Sequence, residues 1–204
     1  MFSPLLQGLF LGSSMIIPLG AQNSHVLNHG INRNHHFLAA SVCMLCDVIL
    51  IALGVFGGAK LIATSPNLVI AISWGGILFL CGYAAMSFRQ AWLNNYHKLQ
   101  NKAVKANNKP WLVIASTLAV TLLNPHVYLD TVLILGSVGG KFEGNEKVAF
   151  ALGTMLASIL WFYSLAAAAA KMSPWLNQAK IKRMIDIVVG LIMCAIAWSL
   201  FKSL

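Results

Sequence analysis

Charged side chains are scarce in this sequence of 204 residues. Only 9% of the residues are charged, and Asp and Glu number five against 14 Lys and Arg. A folded soluble domain needs a polar surface, and an average one has about 25% charged residues. Because 58% of the residues are hydrophobic, the composition argues against a soluble enzyme or a disordered protein. It predicts a protein whose main solvent is lipid.

Several motifs of enzyme and metal sites are also missing. The sequence has no G-x-S-x-G, no H-E-x-x-H and no Walker A pattern, and so no hydrolase elbow, no zincin helix and no ATP-driven pump of its own. The cysteines lie inside apolar runs, without the loop context of a disulfide framework or zinc site. We therefore predict no enzyme, no cofactor and no metal site. The cysteines are Cys43, Cys46, Cys81 and Cys194.

The net charge of +9 raises the question of a nucleic-acid partner. Most of the basic residues lie in two short stretches between apolar runs, at 89–109 and 171–183. Clusters of this kind are typical of the cytoplasmic flanks of membrane helices. The placement therefore predicts a bilayer as the partner, and no nucleic acid.

Six apolar runs are long enough to cross a bilayer as helices, which takes about 20 residues each. The runs lack the period-two alternation of a membrane β-barrel, and lipid does not tolerate open sheet edges. The sequence therefore predicts an all-α membrane protein, with six transmembrane helices in one domain over residues 1–204. The runs cover residues 2–23, 37–59, 68–88, 111–137, 148–170 and 184–201.

The positions of Lys and Arg predict the orientation. The loops after the first, third and fifth runs together hold ten basic residues, and the rest of the chain holds four. Cytoplasmic loops carry the excess of Lys and Arg, so these three loops should be cytoplasmic and both termini should face the other side. The longest cytoplasmic loop covers about 89–110.

Two prolines indicate an internal repeat. Pro18 lies in the first run and Pro125 in the fourth, about half the chain apart. Each run opens a three-helix half, about 1–88 and about 111–204. Because three is odd, the halves must cross the membrane in opposite senses, as in the inverted repeats of many secondary transporters. Proline interrupts helical hydrogen bonding, so helix breaks are expected at Pro18, Gly20 and Pro125, close to a midplane binding site.

Asp47 and Asp130 lie near the middle of their runs. An ionised carboxylate at the bilayer centre costs about 2.5–3.5 kcal/mol or more, so it normally faces a cavity or a partner. The spanning runs hold no Lys or Arg to pair with them. Two such acids can bind a cationic substrate, exchange protons, or be capped by neighbouring polar side chains. Further substrate-binding candidates are Gln22, Asn23, Asn124, His126 and Tyr128, of which His126 is also a candidate proton relay.

The segments I-I-P-L-G-A-Q-N at 16–23 and N-P-H-V-Y-L-D-T at 124–131 resemble the paired signatures of the LysE family of basic amino acid exporters. Asp47 and the L-G-S-V-G-G tract at 135–140 also resemble that family. The resemblance covers essentially the whole chain. The sequence departs from the family pattern at Ala21, where the family often has proline. The helix that begins near this residue is therefore expected to start less rigidly.

The resemblance implies a secondary transporter that exports L-arginine across the bacterial inner membrane, with lysine and canavanine as further candidate substrates. The partners would be a basic amino acid, protons and the bilayer, and both a monomer and a homo-oligomer are compatible with this function. Two alternatives use the same scaffold. One is the export of neutral amino acids, and the other is the export of divalent metal cations, suggested by His25, His29, Cys43 and Cys46.

Overall fold

The computed structural model describes residues 2–18, 20–58, 66–93, 109–124, 127–176 and 178–202. Within these residues the chain forms helices joined by short turns, and no strand is present. The prediction of an all-α protein is therefore confirmed for this part of the chain.

The described residues of the first half form four helices. In chain order they are α1 (Phe2–Ile16), α2 (Ala21–Ile31), α3 (His36–Leu53, continued by the π-helical turn Gly54–Gly58) and α4 (Pro66–Leu93). The predicted loop 89–110 therefore begins inside a helix, since α4 continues to Leu93. Arg89 and Gln90 are good helix formers and Ala91 is buried, which explains the extension.

In the second half, the part of the chain that the structure describes forms five helices. They are α5 (Pro110–Leu122), α6 (Tyr128–Gly139, with the π-helical stretch Tyr128–Ile134 first), α7 (Gly144–Lys171), the short α8 (Ser173–Leu176) and α9 (Ala179–Lys202). Pro125 and His126, between α5 and α6, lie outside the described residues.

The chain bends sharply between α1 and α2, by 77°. Pro18 and Gly20 lie in this bend, and Gly20 has an extended backbone. Proline cannot donate a backbone hydrogen bond, so the helical ladder of α1 does not continue through Pro18. The bend leaves the last carbonyl groups of α1 and the first N–H groups of α2 without helical partners.

Two described helices are long and apolar enough to cross a bilayer on their own, His36–Gly57 and Gly144–Lys171. The bent pair of α1 and α2 makes a third span if it is counted as one. The count of six spans and their inverted order remain predictions.

The pair α1 and α2 and the pair α5 and α6 pack against different long helices. The pair α1 and α2 packs on α7, whereas α5 and α6 pack on α3. In addition, α3 packs on α7, and α4 packs on α9. The contact of α1 with α7 is close because glycines lie on both sides. A Cβ atom added to Gly8 would be 2.1 Å from the Phe150 carbonyl oxygen, and one added to Gly153 would be 2.1 Å from the Leu5 oxygen.

Candidate functional site

A cavity of about 190 Å³ lies at the two places where helices are interrupted. The bend between α1 and α2 contributes Pro18 and Gly20, and the segment between α5 and α6 contributes Asn124. The walls are completed by α3 and α6, which supply Asp47 and Asp130. Polar groups from both halves of the chain therefore face one space.

Most of the substrate-binding residues predicted from the sequence line this cavity. They are Gln22, Asn23, Asp47, Asn124 and Asp130. Tyr128 is not among the lining residues, and His126 lies outside the described residues.

Asp47 is almost completely buried on α3, with 2% of its surface exposed. The Ser158 hydroxyl of α7 donates a 2.8 Å hydrogen bond to its Oδ2, and the Gln22 amide of α2 donates to its Oδ1 at 3.4 Å. A buried carboxylate is tolerated when hydrogen bonds replace its hydration. Two helices therefore fix the Asp47 carboxylate at the cavity wall.

Asp130 lies in the π-helical stretch of α6, where it is partly exposed to the cavity. Asp47 lines the same cavity, and two carboxylates that face one space repel each other when both are ionised. The backbones of α3 and α6 approach closely nearby, because a Cβ atom on Gly136 would be 2.7 Å from the Gly54 carbonyl oxygen. This close packing brings the two acids to the same cavity, where a cation would relieve their repulsion.

Asn23 bridges the bend between α1 and α2. Its side-chain amide donates to the carbonyls of Ile16 at 2.9 Å and Pro18 at 2.7 Å. Its Oδ1 accepts a 3.1 Å hydrogen bond from the Trp161 indole of α7. Both ends of the Asn23 amide hold the bend in shape, and its predicted contact with substrate stays a prediction, since Asn23 also lines the cavity.

Tyr128 has a comparable role at the second interruption. Its hydroxyl donates a 2.9 Å hydrogen bond to the Leu122 carbonyl, at the end of α5. This contact joins the end of α5 to the start of α6. Tyr128 was also expected to bind substrate, but its hydroxyl is directed to the backbone instead.

Sequence reasoning missed the residues that α7 contributes. Ser158 and Trp161 lie in an apolar run with no proline and no charge, so no pattern distinguishes them from packing residues. Thr121 of α5 was missed as well, because nothing in its run distinguishes one hydroxyl from another, although it accepts a 3.3 Å hydrogen bond from Gln22. The only available signal was that small hydroxyl side chains often join helices in lipid.

The histidines considered as metal ligands make other contacts. His25 Nε2 is 3.1 Å from the Thr117 hydroxyl of α5, and His29 Nδ1 is 2.7 Å from the Asn34 carbonyl oxygen. In the described part of the chain, no three His, Cys, Asp or Glu side chains converge as metal ligands. The two histidines thus connect α2 to its neighbours, and nothing in these residues supports the metal alternative.

Comparison with known proteins matches residues 13–203 to the family described as LysE type translocator. The chain is 53% identical over 200 residues to a protein of Aeromonas salmonicida named as an amino-acid transporter, YggA, covering 98% of this chain and 96% of that protein. It is 46% identical over 203 residues to the arginine exporter protein ArgO of Escherichia coli (strain K12), covering 100% and 95%. It is 44% identical over 202 residues to ArgO of Pectobacterium carotovorum subsp. carotovorum (strain PC1), covering 99% and 98%. No solved structure matches the chain.

Proposed function

Since the chain belongs to the LysE family of translocators, we propose that it exports basic amino acids, L-arginine first, from the cytoplasm across the bacterial inner membrane. Membership in this family confirms that the protein is a transporter and no enzyme. Lysine and canavanine are proposed as further substrates because they carry the same charge or nearly the same shape.

The observation that carries the proposal is the presence of Asp47 and Asp130 on one cavity. The guanidinium of arginine is planar and can donate two parallel hydrogen bonds to a carboxylate. A neutral side chain would bring no positive charge to the two carboxylates that line this cavity. The site therefore favours a cationic amino acid over a neutral one.

The other end of an amino acid substrate also finds partners at this cavity. Gly20 lines it and immediately precedes α2, and among the described residues no side chain caps this helix start. The first N–H groups of α2, together with the positive end of its dipole, would attract the substrate carboxylate. Asn124 also lines the cavity, and an amide can hydrogen-bond either the ammonium or the carboxylate of an amino acid.

The packing supports the arrangement as two inverted halves. If the halves are exchanged, the contact of α1 and α2 with α7 becomes the contact of α5 and α6 with α3, which is also present. The contacts of α3 with α7 and of α4 with α9 map onto themselves. We infer six spans, with α1 and α2 counted together as one span and α5 and α6 counted together as another. Binding at the interface of two such halves is the plan of many secondary transporters.

Arginine must leave against the membrane potential of an inside-negative cell. This costs about 2.3 kcal/mol for each charge and each 100 mV. Exchange of one proton for each arginine would cancel the net movement of charge. Asp47 and Asp130 are the groups at the cavity that can bind a proton when the cation leaves.

Transport by inside-out membrane vesicles tests the proposal. Vesicles containing the protein should accumulate labelled arginine, and lysine to a smaller extent, faster than vesicles from cells without it. Labelled leucine and Cd²⁺ should show no difference between the two preparations. Accumulation of leucine at the rate of arginine would instead favour the neutral amino acid alternative, and accumulation of Cd²⁺ alone would favour the metal alternative.

A further inference from the structure

Ser14 of α1 lines both the cavity and a second, wider groove of about 770 Å³. This groove follows α1 past Gln7 to Ser3, and Val138 of α6 forms part of its other wall. The cavity and the groove therefore adjoin at Ser14, and the groove leads toward the N-terminal end of the chain, which the charge distribution places outside the cytoplasm.

The opposite side of the cavity is closed by hydrogen bonds between α2 and α5. The Gln22 amide donates to the Thr121 hydroxyl at 3.3 Å, and His25 Nε2 is 3.1 Å from the Thr117 hydroxyl. Thr117 already donates its one hydrogen to the Val113 carbonyl, at 2.6 Å. The His25 ring must therefore be the donor in its contact with Thr117. Both threonines are fully buried.

An apolar layer lies beyond these hydrogen bonds, toward the loop between α2 and α3. It is formed by buried apolar side chains from α2, α3, α5 and α7. Among its members are Val26, Cys43, Val113 and Phe162. A polar layer followed by an apolar layer therefore separates the cavity from the side that we assign to the cytoplasm.

The end of α2 is also tied down at the surface. The Ser173 hydroxyl donates to the Ile31 carbonyl at 2.5 Å, and Lys182 donates to the Asn32 side-chain oxygen at 3.0 Å. These contacts connect α2 and the following turn to α8 and α9. They add to the contacts that hold α2 in the closed position.

On the basis of the proposed export function, we propose that the contact between α2 and α5 is the cytoplasmic gate, closed in this structure, and that Gln22 couples the gate to Asp47. An exporter must load its substrate from the cytoplasm, so this contact has to open once in each cycle. Movement of α2 away from α5 would withdraw Gln22 from Thr121 and from Asp47 together. The Asp47 carboxylate would then face the cytoplasm with Oδ1 free of Gln22, while Ser158 still donates to Oδ2.

This coupling gives the two states different affinities for the substrate. In the closed state the Gln22 amide takes one oxygen of Asp47, so a substrate cation has to compete with it. In the open state that oxygen is free for the cation. A ligand shifts an equilibrium only by its different affinities for the two states, and here the difference favours loading inside and release outside.

A native cysteine reports on the gate. Cys43 is fully buried in the apolar layer, with its sulfur 3.8 Å from the Thr121 hydroxyl. The other cysteines (Cys46, Cys81 and Cys194) are replaced by serine, and inside-out vesicles are treated with a small charged methanethiosulfonate reagent. The rate at which Cys43 reacts then measures how often the gate opens toward the cytoplasm.

We expect His25→Leu to raise this rate about fivefold to tenfold, the change in an equilibrium expected from one lost hydrogen bond. His25→Gln keeps a donor at a similar distance and should leave the rate nearly unchanged. Ser41→Ala is the matched control, because it removes the 2.7 Å interhelical hydrogen bond to Tyr163 outside the gate. Thr117→Val removes the acceptor with little change in volume. If His25→Leu does not fold, the reaction rate of Cys43 in Thr117→Val tests the gate instead.

An unchanged reaction rate of Cys43 in folded His25→Leu and Thr117→Val would overturn the gate. The measurement needs no substrate, so it separates the gate from the proposed function. If Cys43 reacts faster in the gate variants but vesicles do not transport arginine, the gate is supported and the assignment of arginine as substrate is wrong.

Gln22→Met tests the coupling, because methionine keeps the length of the side chain and removes the donor. If Gln22 shields Asp47, arginine applied to the outer face of right-side-out vesicles should bind about tenfold more tightly than to the unchanged protein. If Gln22 only binds the substrate, the affinity on the outer face should fall, and the coupling would be wrong.

Discussion

The side-chain amide of Asn23 donates a 2.7 Å hydrogen bond to the carbonyl of Pro18, five residues earlier in the chain. The same amide reaches Ile16, and Trp161 of α7 holds its oxygen from the other side. A bend in a membrane helix leaves backbone carbonyls without partners, and lipid cannot supply them. One asparagine thus satisfies these carbonyls and attaches the bend to the neighbouring helix.

Replacement of Asn23 by aspartate should damage the protein more than the small change in shape suggests. An aspartate has no N–H to donate, and its charge would repel the carbonyls of Ile16 and Pro18. An unsatisfied buried polar group costs about 1–3 kcal/mol, so Asn23→Asp should lower the thermal unfolding midpoint of the purified protein in detergent. Trp161→Phe removes the indole hydrogen bond to the Asn23 Oδ1 and should lower the unfolding midpoint less. Equal midpoints for Asn23→Asp and the unchanged protein would contradict this role.

Neutralisation of the two acids tests the site itself. Asp47→Asn and Asp130→Asn keep the shape of the side chains and remove their charge, so both should abolish or strongly reduce arginine export. Efflux of labelled arginine from preloaded cells measures the effect, and the amount of protein in the membrane fraction serves as the control. If both variants export arginine at the normal rate across the pH range, neither acid is a ligand or a proton carrier.

Ser158→Ala gives a graded version of the same test. Ser158 donates the shorter of the two hydrogen bonds that Asp47 accepts, at 2.8 Å, but it is not among the residues that line the cavity. Its loss should weaken export without abolishing it, because Gln22 still holds the carboxylate. Transport rates at several arginine concentrations should show a partial loss, and a complete loss equal to that of Asp47→Asn would mean that Ser158 has a more direct role.

The contact of α1 with α7 makes a prediction about stability. Gly8→Ala and Gly153→Ala each place a methyl group against a backbone carbonyl, so the helices must separate. Overpacking of this kind costs about 1–3 kcal/mol, and it should lower the unfolding midpoint. Gly82→Ala is the control, since nothing lies within 4 Å of its added Cβ atom and alanine favours helix. Similar midpoints for Gly8→Ala and Gly82→Ala would contradict the close approach.

Parts of the site followed from the sequence because their signals are local. Pro18 disrupts a helix wherever it lies, and a lone acid such as Asp47 in an apolar run needs a polar surrounding. These two rules led to a cavity with residues from both halves of the chain. The roles of Asn23 and Tyr128 did not follow, because an amide or a phenol near a bend can face either the substrate or the backbone. Only the three-dimensional positions decide between these directions.

Contacts between helices could not be predicted for a related reason. Ser158 and Thr121 meet their partners across helix interfaces, and the sequence gives no register between helices far apart in the chain. In lipid the hydrophobic effect does not select one helix face over another, so apolar periodicity carries little information about packing. Gly8 and Gly153 lie in apolar runs, and nothing in the sequence says that they bring two helices together.

The orientation in the membrane gives the last prediction. Lys109 lies exposed at the start of α5, and Lys141 lies exposed after α6. Trp111 stands next to Lys109 with 62% of its surface exposed, as expected for an aromatic side chain at a membrane interface. The positive-inside rule places Lys109 in the cytoplasm together with Lys98, Lys102 and Lys105, which lie outside the described residues, and places Lys141 and Lys147 on the other side.

In a chain without its native cysteines, a membrane-impermeant maleimide applied to intact spheroplasts should label Lys141→Cys and leave Lys109→Cys unlabelled. Permeabilised cells, in which both should react, provide the control. The reverse pattern would invert the protein in the membrane, and the gate between α2 and α5 would then open outward, contrary to its assignment as the loading side.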